Sequence, residues 1–512
     1  MRRRFFVLVL RVIEMQSSSV IFNSLLISFA ITVIRSAYRI LALLAMALIA
    51  GCAALGVAPD TSPQARNVIL FIGDGMGIST ITAARIFDGQ SRGEPGEENV
   101  LSFESFPNVA LVKTYNTNQQ VPDSAGTGTA IHSGKKTRAG VIGVGPNARR
   151  RNCAEAQANR LPTIGEIAID QGRNVGIVTT TRVTHATPAT VYAHSPERDW
   201  ESDAYLPEEA RRAGCDDIAT QLVSLAPDEG PQIVLGGGLR EFRGTGLGGK
   251  RRKEDEDLVT EWLAGAGNRQ FITTRDELAE LDGSRQVLGL FADSHMTYIA
   301  EREAQTEEPT LQEMTAAAID YLEARGQGYY LLVEGGRIDH GHHDGFPGYA
   351  MLETQAFAEA VTVALERVDL EDTLVLVTAD HSHTFTLGGY PTRGNPLLGL
   401  VVENDKSGEP EDRPHIAADG QPYTSVAYAN GPGAVRGPRT RPDTGINALA
   451  QSLVPFARRD MDGTISNSET HGGEDVALYA IGSGADQVRG VIEQDRIFGI
   501  MMDAFGWDRR EP

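Results

Sequence analysis

The chain has little cysteine, no excess of basic charge and no internal repeat, and each shortage narrows what it can be. Three cysteines in 512 residues exclude a small scaffold held together by many disulfides. Lys and Arg total 47 against 68 Asp and Glu, a formal net charge of −21. The field around such a chain repels polyanions, which excludes nucleic-acid binding as its main role. Without a repeat there is no solenoid or propeller. The remainder is ordinary: 41% hydrophobic and 22% charged residues, in a length that can bury a large core as one domain with insertions or as two domains.

Long apolar runs are confined to the first 51 residues, at Val20 to Ile34 and Leu41 to Ala50, with arginines ahead of them (Arg2 to Arg4, then Arg35 and Arg39). Residues 1–51 therefore read as an export segment. The second run is too short to span a bilayer comfortably. It ends Leu48-Ile49-Ala50-Gly51-Cys52, which resembles the lipobox of bacterial lipoproteins and implies lipidation of Cys52, a periplasmic or cell-surface location, and membrane attachment through that anchor alone. An ordinary signal peptide, or a start placed too early, are the alternatives. Removing this segment, with its six Arg and one Glu, takes the net charge from −21 to −26. With Cys52 lipidated, Cys153 and Cys215 remain, and in an oxidising compartment they either form a disulfide or stay as two buried thiols.

After a tether over residues 52–66, short apolar runs alternate with longer amphipathic stretches, as in βαβ units. Strands are expected at Val68 to Ile72, Val175 to Val178, Gln232 to Leu235, Tyr330 to Val333, Thr373 to Val377 and Val476 to Ile481. Helices are expected at Thr163 to Asp170, Leu258 to Ala264, Leu311 to Glu323 and Tyr349 to Leu365. The fold class is α/β, a three-layer αβα arrangement with a mostly parallel central sheet. Residues 67–399 and 469–512 form its catalytic domain, and 400–468, where the alternation fails amid Pro, Gly and polar residues, form an inserted loop-rich subdomain. Arg243 to Asp257 reads as an exposed, solvated excursion.

Polar chemistry clusters at the ends of the predicted strands, where ligands bind in open α/β sheets. Asp74 follows VILFIG, Thr181 to Thr187 follow GIVTT, Glu334 follows YYLLV, and Asp380 and His381 follow TLVLVTA, while His471 lies just before VALYAIG. Of 11 histidines, five fall between residues 340 and 383. Beside Glu334, Asp339 and Asp380 they point to metal, since mixed Asp/His sets suit Zn²⁺ and oxygen-only sets suit Mg²⁺. In VPDSAGTGTAIHSG, Ser124 sits at a predicted helix start, which favours a phosphate anion. Taken alone, that segment reads equally well as a small-residue turn with an N-cap serine.

Together, NVILFIGDGMG, VPDSAGTGTA, TRVTHATPATVYAH, VEGGRIDHGHHDG, TADHSHTF and ETHGGEDVALYA, in this order, resemble the alkaline phosphatases from about Asn67 to Ile481. The resemblance implies hydrolysis of phosphate monoesters through a phosphoserine on Ser124, two Zn²⁺ and one Mg²⁺ per subunit, a homodimer, and a crown-like role for the inserted subdomain. It further implies that one zinc is held by Asp339, His343 and His471, and the other by Asp74, Asp380 and His381 with Ser124 completing the shell. Magnesium would then take Asp74, Thr187 and Glu334. Arg198 would clamp the phosphate as a guanidinium fork; without the resemblance it would read as a surface ion pair. His185 and His340 occupy two tuning positions, a pairing closer to animal-type members than to the Asp/Lys bacterial variant, and Cys153 and Cys215 fall where the animal-type disulfide falls. One departure concerns calcium. Ala292 follows Leu290-Phe291 where animal-type members carry a carboxylate, and although Glu308 and Asp293 remain candidates, calcium is not expected. The tether also looks too short for the N-terminal arm of animal-type dimers.

Overall fold

The computed structural model describes residues 64–507 apart from 248–250, 254–255, 266 and 460–462. The export segment, Cys52 and most of the tether lie outside the described residues. None of the described helices is long and apolar enough to cross a membrane.

Ten strands form the main sheet: β1 (Asn67–Gly73), β2 (Asn108–Lys113), β3 (Asn174–Arg182), β4 (Ile233–Gly237), β5 (Arg269–Ile272), β6 (Gln286–Leu290), β7 (Tyr329–Gly335), β8 (Thr373–Ala379), β9 (Val476–Gly482) and β10 (Gly490–Glu493). Their spatial order is β10-β2-β9-β8-β1-β7-β3-β4-β6-β5. Every residue of β1, β7 and β8 is buried, which is why these strands read as unbroken apolar runs in place of an alternating pattern. Two helix groups cover the two faces. Helices Ile78–Ser91, Leu311–Arg325 and Pro347–Arg367 pack together in one, and Ser124–Ser133, Ile164–Asp170 and Arg496–Phe505 in the other.

Only β9 runs against its neighbours, pairing antiparallel with both β8 and β2; the other pairs are parallel. The start of β9 therefore lies at the edge where β1, β3, β7 and β8 end. This reversal brings His471, which precedes its strand, to the same edge as Asp74 and Asp380, which follow theirs.

Beyond β8 the chain leaves the main sheet for smaller ones: Phe385–Leu387 with Val426–Asn430 and Ser452–Val454, the hairpin Ala457–Arg459 with Ile465–Asn467, and the pair His471–Gly472 with Ser382–His383. Within the Arg243 to Asp257 stretch, whose described residues are otherwise mostly exposed or half-buried, Arg252 departs from the solvated excursion expected there. Arg252 is buried and ion-paired with Asp217 at 3.0 Å and Glu256 at 3.0 Å, because the buried Asp217, which caps the helix Ile218–Ser224, requires a cation.

Cys153 and Cys215 are joined in a disulfide 62 residues apart in sequence, packed with the buried Trp200, Leu206 and Ala210. Closing a loop of that length stabilises by about 2–4 kcal/mol. Replacing both cysteines by alanine is expected to lower the thermal unfolding midpoint by several degrees in calorimetry; an unchanged midpoint would show that the bridge adds nothing to stability.

Candidate metal centre and nucleophile

Each chemical group at the sheet edge is placed by a strand end or a short helix. Asp74 directly follows β1, Glu334 is the penultimate residue of β7, and Asp380 and His381 leave β8. After β7, the helix Arg337–His343 sets Asp339 and His343 four residues apart, on one face. Ser124 opens the helix Ser124–Ser133, whose N-cap is Asp123: its carboxylate accepts from the Gly126 N–H at 3.2 Å. Ser124 is thus the first helical residue and not the cap, so its hydroxyl is spare. Every residue of that helix is buried, and Gly126 is required because a Cβ there would meet Asn116 at 2.5 Å.

Three sets of donor atoms converge, each within 4.8 Å of one another: Asp339, His343, His383 and His471; Asp74, Asp380 and His381; and Asp74, His185 and Glu334. Asp74 belongs to two of them. In the first set, His343 Nδ1 contacts the Glu469 carbonyl at 2.7 Å and His471 Nδ1 the Pro122 carbonyl at 2.8 Å. A carbonyl only accepts, so both Nδ1 atoms carry hydrogen and both Nε2 atoms present lone pairs. Those two Nε2 atoms face each other at 3.1 Å, with Asp339 Oδ1 3.4 and 3.5 Å away. Acceptors converging in this way need a cation between them.

In the second set, His381 Nε2 lies 3.3 Å from Asp74 Oδ1, 3.3 Å from Asp380 Oδ2 and 3.2 Å from Ser124 Oγ. Asp380 is oriented by the Gly75 N–H at 3.1 Å and the His381 N–H at 2.9 Å. In the third, both Asp74 oxygens, His185 Nδ1, Glu334 Oε1 and the nearby Thr187 Oγ1 are buried without a hydrogen-bond partner. Orphaned buried donors and acceptors are costly, and a divalent cation satisfies them.

The electrostatics agree. Burial, then the neighbouring Asp380, Asp339 and Glu334 carboxylates, drive the Asp74 carboxyl well above its usual range. Burial pushes Glu334 up to about 7 against hydrogen bonds from Thr179 and Thr181. Burial lowers His343 to about 4, and burial together with His471 holds His381 well below 6.5. Carboxylates that cannot all ionise and imidazoles that cannot protonate are the protein side of a metal centre; the residues fit divalent cations.

Arg198 lines a cavity of about 420 Å³ that Ser124, His185, His343 and His471 also line. Its Nη1 donates to Asp123 Oδ2 at 3.1 Å and its Nη2 approaches His185 Nε2 at 3.2 Å. Burial opposes the charge, but Asp123 more than compensates and raises the guanidinium pKa. Arg198 is no surface ion pair: it is fixed in the cavity wall. His340 lies beside His185, ring centroids 5.6 Å apart. Glu308, one of the two calcium candidates, accepts from the Thr297 N–H and Oγ1, each at 2.9 Å.

The sequence pattern left several supporting groups without an assigned role. His383 contacts Asp339 at 2.8 Å through Nε2 and Glu469 through Nδ1. Against the effect of burial, these two carboxylates raise its pKa to about 10, and its contact orients Asp339. Asp123 holds both the helix start and Arg198, and His295 meets His340 edge-on with ring centroids 4.2 Å apart. Glu469 stood in the ETHGG motif two residues before His471, His383 in TADHSHTF and Asp123 in VPDSAGTGTA, so their presence was legible and their contacts were not.

A family model described as alkaline phosphatase matches residues 65–506. The tissue-nonspecific alkaline phosphatase of Gallus gallus is 44% identical over 461 residues, 85% of this chain and 83% of the relative. The alkaline phosphatase of Gadus morhua is 43% identical over 460 residues, 85% and 90%. Among solved structures, Thermus thermophilus alkaline phosphatase superposes with a TM-score of 0.62 at 25% identity, covering 88% of this chain and 93% of its own. The enzyme from the Antarctic bacterium TAB5 gives 0.58 at 22%, covering 87% and 99%, and supports the fold alone.

Stripping metal with EDTA should leave these carboxylates in mutual repulsion. Differential scanning calorimetry is expected to show a lower unfolding midpoint for stripped protein than for protein resupplied with divalent metal; identical midpoints would contradict a metal centre.

Proposed function

The chain belongs to the alkaline phosphatase family and is a metal-dependent phosphomonoesterase; we propose that it acts through a phosphoserine formed on Ser124. The observation that carries this reading is the position of Ser124 Oγ, 3.2 Å from His381 Nε2 at the head of a helix, in a cavity that Arg198 also lines.

One Zn²⁺ is assigned to Asp339, His343 and His471, a second to Asp74, Asp380 and His381 with Ser124, and Mg²⁺ to Asp74, Thr187 and Glu334, with His185 and His340 tuning that third site. When bound, these ions neutralise the carboxylates, lower the pKa of the serine hydroxyl and supply Lewis acidity to the leaving oxygen. The protein does the positioning. Arg198, its fork held by Asp123, grips two oxygens of the phosphoryl group. The positive end of the helix Ser124–Ser133 borders the same cavity and favours the anion. Ser124 Oγ attacks phosphorus as the ester oxygen departs on the Asp339, His343 and His471 side. Water then hydrolyses the phosphoserine from that side, releasing inorganic phosphate and restoring the hydroxyl. His383 and Glu469 keep Asp339 and His343 in register throughout.

Export through residues 1–51, a lipid anchor at Cys52, a periplasmic or cell-surface location and a homodimer complete the reading. Broad release of phosphate from monoesters suits such a location.

Two measurements test it. Ser124→Ala should lower turnover of p-nitrophenyl phosphate by at least about a thousandfold and abolish acid-stable phosphoprotein; undiminished activity would mean that Ser124 is not the nucleophile. The wild-type protein should turn over p-nitrophenyl phosphate faster than bis-p-nitrophenyl phosphate, and the reverse order would indicate a phosphodiesterase.

A further inference from the structure

Arg198 is carried by no helix or strand, so its position depends on how one loop is held against another. Four backbone hydrogen bonds join the two. Ile142 and Ser195 exchange N–H and carbonyl at 2.8 Å in both directions, the Arg151 N–H donates to the Pro196 carbonyl at 2.8 Å, and the Arg198 N–H donates to the Gly140 carbonyl at 2.9 Å. Gly140 in turn donates its own N–H to both Asp123 oxygens, at 3.1 and 3.0 Å, and Asp123 is the carboxylate that holds the Arg198 fork. A slip between the two loops would open this closed ring of contacts.

Glu197 closes the same junction from within. It is fully buried, and its carboxylate accepts from Arg150 Nε at 2.9 Å, Arg151 Nε at 2.6 Å, Arg150 Nη2, and the Asp199 N–H at 3.3 Å. Successive side chains of an extended chain point to opposite sides, yet here two consecutive guanidinium groups reach one carboxylate. Arg151 allows this by taking φ +65°, and it is the one non-glycine among the described residues with a positive φ. A side chain in that left-handed region is strained and persists where its surroundings enforce it. Gly140 marks the same crowding, since a Cβ there would meet the Arg150 guanidinium at 2.4 Å. Glu197 and Arg151 do not line the reaction cavity, so neither touches what binds there.

We propose that Glu197 is the positioning residue of the phosphate clamp. By drawing Arg150 and Arg151 onto one buried carboxylate, it locks the loop that carries Arg198 against the loop whose Gly140 holds Asp123, and so fixes the guanidinium fork before phosphate arrives. A buried carboxylate keeps such a geometry because its charge demands its partners. The sign of the effect separates positioning from charge. Acting through charge alone, a carboxylate one residue from the clamp would repel the anion, and its removal would tighten phosphate binding; acting by position, its removal weakens binding. The proposal rests on the reading above that Arg198 grips the phosphoryl group, and it adds the residue that holds Arg198 ready.

The test measures Ki for inorganic phosphate against p-nitrophenyl phosphate turnover in the metal-loaded protein, for Glu197→Gln with and without Arg198→Ala. With Arg198 present, Glu197→Gln should raise Ki about fivefold; beside Arg198→Ala, it should change Ki by less than about twofold, because the two residues act as one unit. Arg151→Gly takes the same φ without strain and removes one guanidinium from a side chain 54% exposed, so it carries the test if the buried substitution fails to fold. It should raise Ki about threefold, again only with Arg198 present. An unchanged or lowered Ki, or an equal rise in both backgrounds such as a general loss of structure or metal would give, would overturn the positioning role and leave the phosphomonoesterase intact. A wild type that neither turns over the ester nor is inhibited by phosphate would instead overturn the reading on which that role rests.

Discussion

Asp74 is fully buried, neither of its oxygens has a hydrogen-bond partner among the described residues, and it belongs to two of the three donor sets at the sheet edge. An ionised carboxylate in that position costs several kcal/mol unless a cation meets it. The surroundings add to the demand, with Asp380, Asp339 and Glu334 all acting on the same group. The layout of the edge follows from that demand. Donors arrive from four parallel strands and one reversed strand, imidazoles are locked by carbonyls so that their lone pairs point inward, and small residues pack the helix that carries Ser124. On the function proposed above, stability and chemistry draw on the same sites, since charge neutralisation by metal would relieve the repulsion and activate the serine.

A second layer keeps the geometry. His383 and Glu469 brace Asp339, the Glu469 carbonyl fixes the His343 ring, and Asp123 ties the helix start to Arg198. Each of these groups acts through another and not on the substrate, and residues of this kind commonly decide how closely a site holds its working geometry. The hairpin before His471 extends the arrangement outward, because the segment that delivers a donor to the first set also shapes the cavity mouth.

Much of this was legible in the residues. β1, β7 and β8 are buried on both faces, so VILFI, YLLV and TLVLV stand out as apolar runs. The polar residues after them mark the site. β2, by contrast, alternates exposed and buried positions over six residues, and β5 and β10 are four residues long at the sheet edges; nothing local separates them from loops. The helix Ser124–Ser133 is buried on all sides and built of small residues, so no amphipathic period announced it beyond its start. The roles of His383, Glu469 and Asp123 depend on pairings 44 to 86 residues apart, which no single stretch of chain displays. Arg252 shows the same limit in reverse: a charge-rich loop conceals a buried cation whose partner is 35 residues away.

The central claim is that this edge holds three metals around one nucleophilic serine. Crystals of the purified mature protein, measured on both sides of the zinc absorption edge, test it most directly. The account predicts one anomalous peak among Asp339, His343 and His471, a second among Asp74, Asp380, His381 and Ser124, and a non-anomalous density beside Asp74, Thr187 and Glu334. A single peak, or peaks remote from Ser124, would contradict it.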